Sequence, residues 1–276
     1  MTPPLHELAF AKVNLVLQVG PPREDGLHPM CSLMASLDLA DQLTVSEASG
    51  AEDVVHCPGV PDETLCRRAA QALRTAVPGL PTLEVSIEKH IPVAAGLGGG
   101  SADAAAVLRA GNELAGSPLS MHELRQLAAG IGSDVPSQVE PGAALVGGVG
   151  ERVEPVELAR LAMVIVPQRE GLSTPDVYAE LDRIGGYRPE LAPEELRRIA
   201  TAPLDELAAA VDNDLKAAAL SLRPELERVL ERLHEAGALA AGISGSGPTT
   251  FGLFRSPDDA ARAAGDLEDA LAVRTR

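Results

Sequence analysis

Apolar and polar positions alternate without a break from Ala9 to Val19. Ala9, Ala11, Val13, Leu15, Leu17 and Val19 fall on one face of a predicted strand, and Lys12 and Asn14 fall on the other. The same period returns at Leu83, Val85 and Ile87, with Glu84, Ser86 and Glu88 opposed, and predicts a second strand. The spacing then lengthens. Residues 102–115 are rich in Ala and Leu, lack Pro, and predict a helix. Ser120 and Glu123 form a capping-box pair that opens another helix, reaching to about Ala129. Residues 130–136 predict a turn, 142–150 a strand and hairpin, and 161–166 a short buried strand. A helix-rich stretch covers 174–237, with Pro224 near the start of its last helix and Gly237 just past its end. Residues 239–243 and 249–254 predict two strands around Ser244–Pro248, and 258–273 a final helix. The order of elements is α+β, without regular βαβ units.

Composition narrows this picture. A chain of 276 residues allows one large domain or two ordinary ones. The polar stretch 151–157 suggests a division into residues 1–155 and 156–276. No apolar run approaches the ~18 residues that span a bilayer, and residues 1–8 have no apolar signal core. The expected setting is therefore the cytoplasm, with no membrane partner. Cys31, Cys57 and Cys66 lack metal-ligand spacing and predict free thiols. The formal net charge of -17 argues against nucleic acid and anionic membrane surfaces as partners. Any bound anion needs local compensation, and the chain has only three lysines, Lys12, Lys89 and Lys216.

Candidate chemistry centres on residues 92–106. Gly96, Gly98, Gly99 and Gly100 lie between a predicted strand and a predicted helix, where bare amides and a helix N-terminus can hold a phosphate. The loop lacks the Gly-x-Gly-x-x-Gly order of a dinucleotide fold and the Gly-Lys-Ser/Thr ending of a Walker loop. Ser101 at the helix start caps the helix or reaches a phosphate or metal ion. Asp103 is expected in the first helical turn, where a carboxylate also suits the helix dipole. Lys12 and Asn14 are either a solvated strand face or part of a site. Asp134, in Gly132-Ser133-Asp134-Val135-Pro136, is either a turn former or a base held near a lysine. Ser244–Pro248 is either a plain hairpin or a second loop that approaches a ligand.

Three motifs in this order resemble the GHMP kinase superfamily: Ala-Lys-Val-Asn-Leu at 11–15, Pro-x-x-x-Gly-Leu-Gly-Gly-Gly-Ser at 92–101, and Gly-Ile-Ser-Gly-Ser-Gly-Pro at 242–248. Asp25-Gly26-Leu27-His28, Gly132–Pro136, Asn213-Asp214-Leu215 and Pro224-Glu225-Leu226 bring the chain closer to one branch of it. That branch phosphorylates the 2-hydroxyl of a cytidine diphosphate-linked methylerythritol in the non-mevalonate isoprenoid pathway. The resemblance implies a two-domain α+β fold with ATP, Mg²⁺ and a small-molecule substrate in an interdomain cleft, in a monomer or homodimer.

By matching motif, Asp134 is the implied base and Lys12 its partner in catalysis. Pro92, Gly96, Leu97, Gly98, Gly99, Gly100, Ser101 and Ala102 bind ATP, with Ser101 also a metal ligand. Asn14, His28, Lys89, Thr174 and Tyr178 bind substrate, and Ser244, Gly245, Ser246 and Gly247 close over the phosphates. Three positions depart from the branch: Leu27 replaces a Tyr, Ser137 a Phe, and Thr64 an Asn. A kinase for another small alcohol, and a nucleotide-binding sensor without catalysis, are the alternatives.

Overall fold

Why the chain folds locally as it does is clearest at residues 83–88. Leu83, Val85 and Ile87 are buried and Glu84, Ser86 and Glu88 exposed, the two faces that the alternation predicts. The structure, a computed structural model, describes residues 3–60 and 64–276. Among the described residues the elements run β1 (Leu5–Val19), β2 (Met30–Glu47), β3 (Val54–His56), α1 (Thr64–Ala76), β4 (Leu83–Glu88), α2 (Gly99–Leu114), α3 (Met121–Ala129), α4 (Val135–Gln138), β5 (Ala143–Gly148), β6 (Arg152–Pro155) and β7 (Ala162–Val166). They continue with α5 (Thr174–Ile184), α6 (Pro193–Ala200), α7 (Leu204–Ala209), β8 (Asp212–Asn213), α8 (Lys216–Leu222), α9 (Glu225–Glu235), β9 (Ala240–Ile243), β10 (Thr250–Phe254), α10 (Pro257–Asp266) and β11 (Leu271–Arg274).

The chain forms two compact units, interleaved in sequence. One comprises the described residues up to Ala11, Leu39–Val93 and Gly98–Pro141. The other comprises Lys12–Asp38, Ala94–Leu97 and Gly142–Arg276. The long strands β1 and β2 each contribute a segment to both.

In the first unit β2 runs antiparallel to β4, with Leu43 opposite Ile87 and Val45 opposite Val85, and β3 joins β4 in parallel. One side of this sheet is covered by α1 to α4 around Leu73, Leu83, Leu108, Leu124 and Val139. Helix α2 is buried almost all round, and its alanines let neighbours approach closely. Helix α3 opens with the predicted capping box, the Ser120 side chain accepting from Glu123 N and the Glu123 carboxylate from Ser120 N.

In the second unit β1 pairs with β8 in parallel at Val16–Asp212 and Leu17–Asn213. The first part of β2 pairs with β5, and β5 with β6. A separate antiparallel sheet has the order β11-β7-β10-β9. Helices α9 and α10 cover it around Val164, Val166, Leu233 and Phe254. Cys31 and Cys66 are buried, and all three cysteines are free thiols.

Three local expectations change. The predicted helix 258–273 is instead α10, ending at Asp266, followed by β11. Pairing with β7, from Leu271–Ile165 to Arg274–Ala162, outweighs the helix propensity of an Ala-rich segment. Second, α2 starts at Gly99, so Ser101 lies inside the first turn and the N-cap is Gly98, which offers no side-chain cap. Asp103 consequently falls beyond the first turn. Third, the polar face of β1 is not solvated: Lys12, Asn14 and Gln18 are at most 5% exposed.

Candidate active site

The buried polar face of β1 is satisfied by its neighbours, as buried polar groups must be. Within the second unit Lys12 Nζ donates to Asn14 Oδ1 at 2.9 Å. Asn14 Nδ2 donates to Ser32 Oγ at 2.8 Å, and Ser32 Oγ donates onward to the Val16 carbonyl at 2.8 Å. Asn14 N donates to Ser244 Oγ at 3.3 Å, and that hydroxyl donates to the Gly96 carbonyl, also at 3.3 Å. The Lys12 amide donates to the Leu97 carbonyl, and the Thr249 amide to the Ala95 carbonyl.

Two motifs far apart in sequence, 94–97 and 244–249, are thereby tied to β1. Gly96 has φ +77°, and a Cβ there would lie 2.4 Å from the Gly247 carbonyl oxygen. Only glycine permits both the conformation and the approach. Asn213 Nδ2 fixes the far side of the loop by donating to the Ile243 and Gly245 carbonyls, both at 2.8 Å. The Thr174 and Ser246 hydroxyls meet at 2.7 Å.

His28 forms a second cluster in the same unit. Its Nδ1 donates to the Gly20 carbonyl at 2.8 Å, and its Nε2 faces Asp182 Oδ1 at 3.3 Å. The His28 ring centroid lies 5.2 Å from that of Tyr178 and 6.2 Å from that of Tyr187. These are both tyrosines of the chain. Sequence reasoning missed Asp182 and Tyr187, since α5 and its following loop give no local signal for chemistry. Leu27, where an aromatic was expected, is half exposed.

The first unit holds the other pieces. Gly98 has φ +71° and turns the chain into α2. The amides of Gly99, Gly100 and Ser101, at the start of the helix, receive no side-chain cap. Such unpartnered donors, with the helix dipole behind them, favour an anion.

Lys89 lies close by, its Nζ 3.3 Å from where a Cβ on Gly99 would stand. That Nζ donates to Asp41 Oδ2 at 2.6 Å and Asp103 Oδ2 at 2.7 Å, both carboxylates fully buried. Asp41 Oδ1 accepts from the His90 and Ile91 amides. Burial pulls the Lys89 ammonium pKa down, but the carboxylates of Asp103 and Asp41 outweigh it and hold the pKa above its ordinary value. Two of the three ammonium hydrogens are thus committed, leaving one. Asp134 occupies the N-cap position of α4 without a capping bond from its carboxylate, and its carbonyl accepts from Ser137 Oγ at 2.8 Å.

The first unit thus holds an open helix N-terminus behind a glycine turn, which favours an anion, and the second a buried Lys–Asn pair. The GHMP kinase families match the chain in sequence, the N-terminal domain at residues 64–148 and the C-terminal domain at 194–273. The chain belongs to the GHMP kinases, ATP-dependent enzymes that phosphorylate small molecules. It is 44% identical to the 4-diphosphocytidyl-2-C-methyl-D-erythritol kinase of Nocardia farcinica, covering 97% of this chain and 90% of that one. It is 44% identical to the enzyme of the same name from a Nocardioides species, covering 95% and 92%. A crystal structure of 4-(cytidine 5'-diphospho)-2C-methyl-D-erythritol kinase superposes with a TM-score of 0.83 at 35% identity, over 98% of this chain and 99% of that one. Homoserine kinase from Cytophaga hutchinsonii shares the fold, with a TM-score of 0.74 at 16% identity over 100% and 95% of the two chains.

Proposed function

We propose that this chain transfers the γ-phosphoryl group of ATP to the 2-hydroxyl of 4-diphosphocytidyl-2-C-methyl-D-erythritol, in the non-mevalonate route to isoprenoid precursors. The observation that carries the choice of alcohol is the convergence of Tyr178, Tyr187 and Asp182 on His28. A nucleobase needs an aromatic wall and polar edge contacts. Homoserine and other small alcohols need neither. Tyr187 supplies a second ring that Leu27 does not, and base–aromatic stacking is worth ~1–3 kcal/mol.

In this reading Asp134 takes the proton of the 2-hydroxyl as its oxygen bonds to the γ-phosphorus and the bond to the bridging oxygen of ADP breaks. Lys12, held by Asn14, orients the base and the phosphoryl group. The amides of Gly98 to Ser101, with Pro92, Gly96, Leu97 and Ala102, cradle the triphosphate. The remaining N–H of Lys89, with Thr174, meets substrate or nucleotide phosphate, and Ser244 to Gly247 close over it.

Mg²⁺ fits these residues on the chemistry of its donors. No group of three His, Cys, Asp or Glu forms a cage among the described residues, and Mg²⁺ with a nucleotide takes most of its ligands from phosphate oxygens and water. Ser101 would supply a hydroxyl ligand. When bound, the ion offsets charge on the phosphates.

The family matches fall on either side of residue 155, in keeping with sequence divisions 1–155 and 156–276, while the second compact unit draws segments from both. The chain acts in the cytoplasm as a monomer or homodimer.

The test is ATP consumption with the cytidylyl substrate, with homoserine and with mevalonate, for the wild type and Asp134→Asn. Turnover is expected with the cytidylyl alcohol alone. The variant should lose about 10²–10⁴-fold in kcat while still binding ATP. Turnover only with another alcohol rejects the substrate, and full activity of the variant rejects Asp134 as the base.

A further inference from the structure

Away from these clusters, the second unit contains a cavity of about 180 Å³ whose lining comes from β7, β10, β11, α7 and the segments beside them. Its apolar wall is made by Leu161, Leu207 and Phe254, each less than 5% exposed. Exposed side chains of Arg160, Arg255 and Arg274 also line it. Arg255 pairs with Asp205 at 2.6 Å. The other two are exceptional in this chain. Among the described residues, Arg160 and Arg274 are the two arginines whose guanidinium has no hydrogen-bond or ion-pair partner; only the Arg274 backbone amide is engaged, by Asp38. In a chain of net charge -17, nearly every cation has found a carboxylate or carbonyl. That these two unpartnered guanidiniums line one cavity suits it to an anion.

We infer that this cavity is a ligand site for a small phosphate monoester with a short hydrocarbon group, separate from the phosphoryl-transfer residues. The wall takes the hydrocarbon and the guanidiniums take the head. A phosphate monoester carries about -1.5 to -2 at neutral pH and matches two guanidiniums, whereas a carboxylate matches one. The planar forks of arginine suit phosphate oxygens in pairs. The size limits the ligand, because the cavity is smaller than the ~300–1,000 Å³ of sites that take drug-sized molecules. A broader, more open depression of about 580 Å³ shares Ala159, Ala200 and Ala202 with it. Glu157 and Arg276 both line that depression.

Isothermal titration of the wild-type chain, saturated with a non-hydrolysable ATP analogue, tests this with n-butyl monophosphate, inorganic phosphate and n-butanol. The expected result is one-to-one binding of butyl phosphate at least about tenfold tighter than phosphate, from burial of its methylene groups. Arg160→Ser/Arg274→Ser should weaken it at least about tenfold. That variant loses no partner, so its thermal melt should match the wild type. Equal affinity for phosphate and butyl phosphate, unchanged affinity in the double variant, no saturable heat, or binding abolished by the ATP analogue would each overturn the assignment.

Discussion

Lys89 shows how a single charged residue is decided by its neighbours. The sequence marks it as one of three lysines, beside the glycine loop, and gives no hint of Asp41 or Asp103. The structure buries both carboxylates on its ammonium. Deleting the lysine leaves two buried carboxylates without the ammonium that both accept from. Lys89→Met is expected to destabilise by about 3–5 kcal/mol. The pH dependence has a definite sign. The folded pKa is raised above 10.5, so the stabilisation is complete below pH 10.5 and is lost as pH rises through the folded value. Thermal melts across pH 8–11.5 should show a steeper alkaline loss for the wild type than for Lys89→Met. Parallel curves would mean that the ammonium is not held by the pair. His28 teaches the same lesson, since its motif is legible but Asp182 and Tyr187 are brought to it by folding alone.

Among the elements, the glycine loop and the 244–249 loop were each visible as local patterns, because the freedom of glycine to take positive φ is a local property. Their mutual contact was not visible. Gly96 sits against the Gly247 carbonyl, and Ser244 bridges Gly96 to β1. Gly96→Ala should cost ~1–2 kcal/mol for the left-handed backbone alone, and more for the clash. We expect ATP-dependent turnover to fall at least about tenfold, with a lower melting temperature, in steady-state assays and thermal melts. Wild-type turnover would show that the segment moves freely away from the loop. The α10–β11 boundary has the same kind of cause. Helix propensity favours one long helix over 258–273, and the ladder to β7 replaces its end with a strand.

For the whole molecule, charge is the property most directly written in the sequence. Most ion pairs involve exposed side chains and are worth ~0–1 kcal/mol each, while 17 net negative charges repel one another. Raising salt shortens the Debye length from ~30 Å at 0.01 M to ~10 Å at 0.1 M and relieves that repulsion. The melting temperature should therefore rise by a degree or more over that range, and a fall would mean that the ion pairs outweigh the repulsion. By itself, the sequence determined the strands and helices whose period is unbroken, the capped start of α3, the glycine turns and the motif residues of a GHMP kinase. These follow from conformational preferences within a few residues. Tertiary structure decided that the Lys12 face is buried, that Lys89 is held by two carboxylates, that both tyrosines meet His28, and that Arg160 and Arg274 remain unpaired. The free energy of a polar group depends on what surrounds it, and those surroundings come from residues far along the chain.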